Sequence, residues 1–367
     1  MGDIYIGLIS GTSMDGIDAA LVNIDELSLD VIQTHKHEYP AELQQRLSAA
    51  KLNPTIRGCD DVADLHVEVG ECFRNAANEL LAAAGVDGSM VTAIGSHGQT
   101  IRHEPDIDEP FSLQIGAANI IANGTGIMTV ADFRSADIAL GGQGAPLAPA
   151  FHEWFFKKTR ATCVILNMGG IANITVLFGD DSDTTGFDTG PANTLLDAWI
   201  ARHRSEPFDR EGRWAAQGNV DIDLLDRLLA DPYFSASPPK STGFEYFNLE
   251  WLDAGGVVDF DPADVQATLS ALSATSIAAA IQEYAPGVSD LFVCGGGVHN
   301  ADLMQRLGTA LPEITVESTA AVGLDPDWVE AVAFAWLAKR TMHSETGNLP
   351  SVTGASHKVV LGNIHSP

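Results

Sequence analysis

Ile4-Tyr5-Ile6-Gly7-Leu8-Ile9-Ser10-Gly11-Thr12-Ser13-Met14-Asp15-Gly16-Ile17-Asp18-Ala19-Ala20-Leu21-Val22 joins an apolar run, a tight polar turn and a second apolar run. Both runs alternate with a period near 2, which predicts a β-hairpin over about 3–10 and 16–24. The turn gathers Gly, Thr and Ser, so backbone N–H groups and hydroxyls can converge on an anion such as a phosphate tail. The same residues serve a purely structural turn equally well. No G-x-x-x-x-G-K-[ST] string occurs, which excludes a P-loop, and no G-x-G-x-x-G follows a strand, so a dinucleotide fold has no support.

Working outward, residues 61–84 carry Val62, Leu65, Val69, Phe73, Ala76 and Leu80 at helical spacing, with Asp60 or Asp61 as cap and Gly85 as stop. Met90–Gly95 reads as a short buried strand that ends in the loop Ser96-His97-Gly98-Gln99-Thr100. The opening design returns at Thr162–Leu177: strand, the polar turn with Gly169 and Gly170, strand. A helix over about 262–284 follows, with Asp261 as cap and Pro262 at its first position. Ser289–Cys294 is then a strand that stops at Gly295-Gly296-Gly297-Val298-His299-Asn300. Each half therefore runs hairpin, helix, strand and small-residue loop, which suggests two related α/β domains with a cleft between them. The expected boundaries are 1–128 for the first domain, with segment 344–367 free to rejoin it, and 129–343 for the second. Residues 202–260, rich in Arg, Asp, Pro and Gly, read as a loop-and-helix insertion with one helix near 220–230.

Bulk composition narrows the function classes. The 367 residues carry 49 acidic against 20 basic side chains, a formal charge of −29 that repels nucleic acid and anionic membranes. An anionic substrate must then find a local basic patch. No apolar stretch reaches the ~18 residues of a membrane span. The first 25 residues lack a basic region and carry Asp3 and Asp15, so no signal peptide is expected and the cytoplasm is the expected compartment. Cys59, Cys72, Cys163 and Cys294 are scattered, which points to reduced thiols rather than disulfides or zinc.

Four further stretches carry groups suited to chemistry. Asp188 lies in Gly186-Phe187-Asp188-Thr189-Gly190, ahead of an amphipathic helix at Thr194–Ala201, where a carboxylate can act as a general base or simply cap the helix. Asp132-Phe133-Arg134-Ser135-Ala136-Asp137 runs into Gly141-Gly142-Gln143-Gly144, and Arg134 there is an anion partner or half of a surface ion pair. His97 and His103 are candidate substrate contacts, though a lone His is more often structural. Gly295–Gly297 leaves open backbone on which an adenosine can lie. Glu330 begins an apolar helix, where it steadies the N-terminus or bonds a sugar hydroxyl.

Taken in order, Ser10–Gly16, Ser96–Thr100, Leu166–Asn173, Gly186–Asn193, Pro238–Gly243 and Gly295–Asn300 resemble the anhydro-N-acetylmuramic acid kinase family over nearly the whole chain. The resemblance implies the acetate-and-sugar-kinase, Hsp70 and actin fold: two ribonuclease-H-like α/β domains closing on ATP. It implies that Ser10, Gly11, Thr12, Ser13, Met14, Asp15, Gly16, Ile17 and Asp18 hold the phosphates with Gly169 and Gly170, and that Gly295, Gly296 and Gly297 lie at the adenosine. Mg2+ accompanies ATP. The implied substrate is 1,6-anhydro-N-acetylmuramic acid. A base, matched by Asp188, activates water for attack at C1 while O6 leaves with the γ-phosphoryl group, giving N-acetylmuramic acid 6-phosphate in cell-wall recycling. His97, Gln99, Asp132, Arg134 and Glu330 are the candidate substrate contacts, with Arg134 pairing with the lactyl carboxylate or the phosphates and Glu330 positioning the sugar; a homodimer is compatible with the resemblance. An actin- or Hsp70-like ATPase switch and a conventional sugar kinase are the alternatives on the same fold.

Overall fold

Gly7 and Gly95 stand side by side on neighbouring parallel strands. A Cβ on Gly7 would meet the Ala331 carbonyl oxygen at 1.8 Å, and one on Gly95 would meet the Phe334 carbonyl oxygen at 2.1 Å. The backbone of helix Val329–Met342 therefore lies directly on the sheet, at a spacing only glycine permits. The computed structural model describes all residues except Met1, Thr12, Ser13, 53–58, Asp106, 158–160 and Asp181.

Two compact units divide the chain: 1–155 with 328–367, and 156–327. The first holds β1 (Asp3–Ser10), β2 (Gly16–Ile24), β3 (Leu29–Glu38), β4 (Val91–Glu104), β5 (Phe111–Ile115) and β6 (Thr129–Ala131). The second holds β7 (Cys163–Met168), β8 (Ile171–Leu177), β9 (Thr185–Pro191), β10 (Asp290–Cys294) and β11 (Thr315–Ser318); the terminal β12 (Asn363–His365) returns to the first. The first sheet runs β12-β6-β4-β1-β2-β3 with β5 on β4, and the second β11-β10-β7-β8-β9. In each, three antiparallel strands form a meander, and two later strands add in parallel beside the first. The shared order, 3-2-1-4-5 with the second strand reversed, is the ribonuclease-H-like arrangement twice over.

The alternation read from the sequence is real. Ile6 and Leu8 of β1 pack with Leu65, Val69, Phe73 and Leu80 of helix Cys59–Ala84, while the intervening Gly7 faces helix Val329–Met342. Helix Pro262–Tyr284 begins as expected, with the Asp261 side chain accepting from Ala263 N at 2.8 Å. Its Val265, Leu269, Leu272, Ile277 and Ile281 are all buried. Cys163 and Cys294 are buried, and neither is in a disulfide.

Several local expectations are corrected. Helix Cys59–Ala84 already contains Asp60 and Asp61 in its first turn, so neither precedes it as a cap. Strand β4 runs through Glu104, so Ser96–Thr100 is strand and not loop, because β1 and β5 pair along it. Asp188 likewise sits on β9, opposite Asn173, rather than in a turn. The first unit also extends to Phe155 and takes the chain back at Trp328, since β6 pairs with β4 and helix Val329–Met342 packs on β1. Within 202–260 the expected helix is present as Ile222–Leu229, with shorter helices beside it, and Trp214, Leu224, Leu228, Phe247 and Leu252 close a core with Leu195, Leu196, Trp199, Leu269 and Leu272. On its helix Ile222–Leu229, Ile222 is exposed and Leu224 and Leu228 are buried.

Candidate active site

The turn after β1, the residues after β6 and the glycines after β10 all lie at carboxyl ends of parallel strands, where open α/β sheets place ligands. In the first unit Ser10, buried, lies with Oγ 2.7 Å from both the Gly16 carbonyl and Gln99 Oε1. Gln99 Nε2 donates to the Gly11 carbonyl at 3.2 Å. Gln99 thus ties the phosphate-type turn to β4 instead of facing outward. Met14 has φ 53 and is buried in the core, so it anchors the turn from below. Asp15 is ion-paired with Lys36 at 2.5 Å. Thr12 and Ser13, the remaining expected phosphate contacts, lie outside the described residues.

A second cluster in this unit centres on Arg134. Its Nε and Nη2 donate to His97 Nε2 at 3.2 and 2.7 Å, and Nη1 donates to the Gly144 carbonyl at 2.7 Å. His97 Nδ1 lies 3.0 Å from the Gly98 carbonyl. Only one tautomer satisfies both ends: a proton on Nδ1 and a lone pair on Nε2. Burial and the Arg134 charge push His97 well below its usual value, so the ring is neutral. Burial also draws Arg134 down to about 10, which leaves it cationic at neutral pH. Burial among protein atoms, with the Asp18 carboxylate adding, raises Glu330, and Arg134 opposes the rise. The Glu330 side chain keeps an open face to solvent, which tempers that shift. Asp18, Glu330, Arg134 and His97 are thus electrostatically linked.

Asp132 has a different place. It adopts φ 60, its Oδ1 accepts from Ser135 Oγ at 2.5 Å, and its Oδ2 from Asn363 Nδ2 at 3.1 Å. The more telling carboxylate is Asp137, which sequence reading passed over. It is fully buried and accepts from Gly144 N, Asn348 Nδ2 and Thr353 Oγ1 at 2.8, 2.7 and 2.8 Å. It fixes the loop whose Gly144 carbonyl orients Arg134. An Asp placed before a Gly-Gly-Gln-Gly stretch was the only local hint.

In the second unit Asp188 is held on three sides. Its Oδ2 accepts from Thr242 N at 3.0 Å, its N–H donates to the Lys240 carbonyl at 3.2 Å, and its carbonyl accepts from Tyr233 Oη at 2.7 Å. The Pro238–Gly243 segment therefore runs along β9 and supplies the donor to the carboxylate. Burial lifts Asp188 to about 6; the Thr242 N–H lowers it and Glu245 raises it further. A carboxylate poised there is ionised at neutral pH yet basic enough to take a proton. The Thr242 hydroxyl is buried and has no hydrogen-bond partner among the described residues. Lys240 and Thr242 fall in the Pro238–Gly243 motif but were given no role, and Tyr233 lies outside every motif, because only spatial proximity joins the three to Asp188.

The glycines of this unit divide by role. A Cβ on Gly295 would meet Asn167 Oδ1 at 2.4 Å, and one on Gly297 would meet Met168 Cβ at 2.5 Å, so both are packing requirements. Gly296 meets nothing within 4 Å and Gly169 only the Ile171 carbonyl oxygen at 3.6 Å; these are the open backbone positions. The Gly169 and Gly170 carbonyls accept from Asn193 N and Thr194 N, welding the β7–β8 turn to the start of helix Asn193–Arg204.

The sequence profile of the anhydro-N-acetylmuramic acid kinase family matches residues 3–367. The chain belongs to the anhydro-N-acetylmuramic acid kinase family. A kinase of that name from Coxiella burnetii (strain RSA 493 / Nine Mile phase I) is 50% identical over 363 residues, 98% of this chain and 97% of its own length. One from Shewanella sp. (strain MR-4) is 51% identical over 360 residues, again 98% and 97% of the two chains. Among solved structures, a ROK family glucokinase from Streptomyces griseus in complex with glucose and AMPPNP aligns over 92% of this chain and 99% of its own, at 14% identity and TM-score 0.40. At that similarity the fold rests on the sheet order given above. The family's reaction is an ATP-dependent phosphorylation of an anhydro amino sugar with opening of its ring, and this chain is an enzyme of that kind. Among the described residues no helix is long and apolar enough to cross a membrane.

Proposed function

We propose that Asp188 is the general base of a coupled hydrolysis and phosphoryl transfer on 1,6-anhydro-N-acetylmuramic acid. The single observation that carries this is its carboxylate, lifted to about 6 and aimed by the Thr242 N–H. Asp188 takes a proton from water as the water oxygen bonds to C1. The C1–O6 bond breaks, and O6 takes the γ-phosphoryl group of ATP as ADP departs. O6 needs no separate acid, because phosphorus captures its developing charge.

In the first unit the Ser10–Asp18 turn serves as a phosphate contact; in the second unit Gly169–Gly170 serves as another, and open Gly296, between packed Gly295 and Gly297, meets the adenosine. Arg134 receives the lactyl carboxylate of the sugar. Its guanidinium is held by His97 and the Gly144 carbonyl, so it is oriented before any anion arrives. Glu330 positions the sugar through its hydroxyls. In a chain of charge −29, Arg134 is the local cation an anionic sugar requires. Asp18 would supply a hard oxygen donor of the kind that suits Mg2+. When bound, Mg2+ neutralises charge on the transferring phosphoryl group. The reading places the enzyme in the cytoplasm, acting on small molecules in peptidoglycan recycling. The test is Asp188→Asn, which keeps ATP binding and loses turnover; wild-type turnover in that variant would sink the assignment.

A further inference from the structure

His35 and His37 stand two residues apart on β3, the last strand in its sheet's order. Their shared parity puts both rings on one face of the strand. Glu79, from helix Cys59–Ala84, brings one carboxylate oxygen to both: Oε2 lies 2.8 Å from His35 Nε2 and 2.8 Å from His37 Nδ1. The three donor atoms lie within 4.8 Å of one another. Lys36, between the two histidines, is engaged elsewhere, with Asp15. None of the three groups has a part in the phosphoryl-transfer chemistry.

We propose that His35, His37 and Glu79 form a binding site for a divalent transition-metal ion, zinc being the class that fits best. Two imidazoles and one carboxylate make up a borderline donor set, which zinc accepts and magnesium does not favour. Three protein ligands leave the fourth tetrahedral position to water. Zinc–nitrogen and zinc–oxygen bonds of ~2.1 Å set tetrahedral donors ~3.4 Å apart. Glu79 Oε2, now 2.8 Å from each ring nitrogen, therefore has to withdraw from each by about 0.6 Å. Its side chain is 49% exposed and carried on a helix surface, so a rotamer adjustment suffices. His37, at 17%, is the most enclosed of the three and fixes the site's depth.

The proton balance is simple. Each imidazole now directs a ring nitrogen at Oε2. On metal binding that nitrogen presents its lone pair, and its proton moves to the other ring nitrogen or, from a cationic ring, to solvent. The net charge of −29 raises the local concentration of any cation, and the histidines supply the selectivity that charge alone lacks. A bound ion would pin β3 to helix Cys59–Ala84. The same strand carries Lys36, whose partner Asp15 belongs to the phosphate turn.

The test uses the full chain stripped with EDTA, titrated calorimetrically with zinc chloride and in parallel with cobalt(II), whose visible absorption reports four-coordination. The expected result is one ion per chain, insensitive to millimolar magnesium. His35→Ala and His37→Ala should each weaken binding at least ~10-fold, the lower end of what losing a residue that merely hydrogen-bonds to a metal ligand costs. Glu79→Gln should weaken it as well and, by keeping the side chain's shape, guards against a folding artefact. Unchanged kinase activity in the three variants confirms their fold. Equal zinc affinity in wild type and all three variants, or neither heat nor a cobalt spectrum in wild type, would overturn the site.

Discussion

Asp188→Asn replaces an ionisable carboxylate with a neutral amide of the same shape, and its two consequences have opposite signs. The folded chain lifts Asp188 from 3.8 to about 6, first by burial, then by Glu245, against the lowering from the Thr242 N–H. The folded state thus holds the proton more tightly than the unfolded state does. That contribution to stability is complete below about pH 4 and is lost as pH rises through about 6. A shift of about 2 units corresponds to at most ~3 kcal/mol of instability from the ionised form at pH 7.5. An Asn carries no such charge, and its Oδ1 can still accept from Thr242 N. The variant should therefore unfold at higher denaturant at pH 7.5, by ~1–3 kcal/mol, and match wild type near pH 4. Turnover moves the other way. Loss of a general base costs about a hundred- to ten-thousand-fold, or ~3–5 kcal/mol in the barrier. Denaturant unfolding at the two pH values and steady-state kinetics with ATP and the anhydro sugar read both effects, and the KM for ATP should stay within about twofold. In wild type, kcat should fall ~10-fold per pH unit below about 6. A variant less stable than wild type at pH 7.5, or one turning over within tenfold of it, would refute the reasoning.

Three other substitutions separate structural from functional roles. Gly296→Ala meets open space, so it should leave the melting temperature unchanged yet raise the KM for ATP, whereas Gly297→Ala runs into Met168 and should lower the melting temperature. Arg134→Lys keeps the charge but cannot serve His97 and the Gly144 carbonyl with one ammonium and still present a fork; the KM for the sugar should rise ~10-fold, about 1.4 kcal/mol, at unchanged KM for ATP. Asp137→Ala leaves the Gly144, Asn348 and Thr353 donors buried without their acceptor, at ~1–3 kcal/mol each, so thermal unfolding should show a loss of several kcal/mol.

What the sequence discloses and what it conceals divide along physical lines. Local signals carry far. The period-2 runs around Gly11 and Gly169 are strands at the expected bounds, and the Asp261-Pro262 start of the long helix is the cap it resembles. The repetition of hairpin, helix and strand corresponds to a shared sheet order. Long-range pairing is where local reading stops. Ser96–Thr100 looks like a loop by composition, yet β1 and β5 make it strand. Asp188 sits among glycines that signal a turn, yet its pairing with Asn173 places it on β9. Its partner Thr242 is 54 residues away, and two of the three Asp137 partners, Asn348 and Thr353, are 211 and 216 residues away, so no window of sequence could join them. The −29 charge is plain in the sequence, but how the buried Arg134 guanidinium is held emerges only when His97 and the Gly144 carbonyl are seen around it.

The central claim is that water attacks C1 while O6 receives the phosphoryl group, and isotopic labelling tests it most directly. The reaction is run in oxygen-18 water with ATP and the anhydro sugar, quenched early, and the product is fragmented in the mass spectrometer. One heavy oxygen at C1, with an unlabelled phosphoryl group, is the predicted result. An unlabelled phosphorylated product with its anhydro bridge intact, or heavy oxygen in the phosphoryl group, would contradict it.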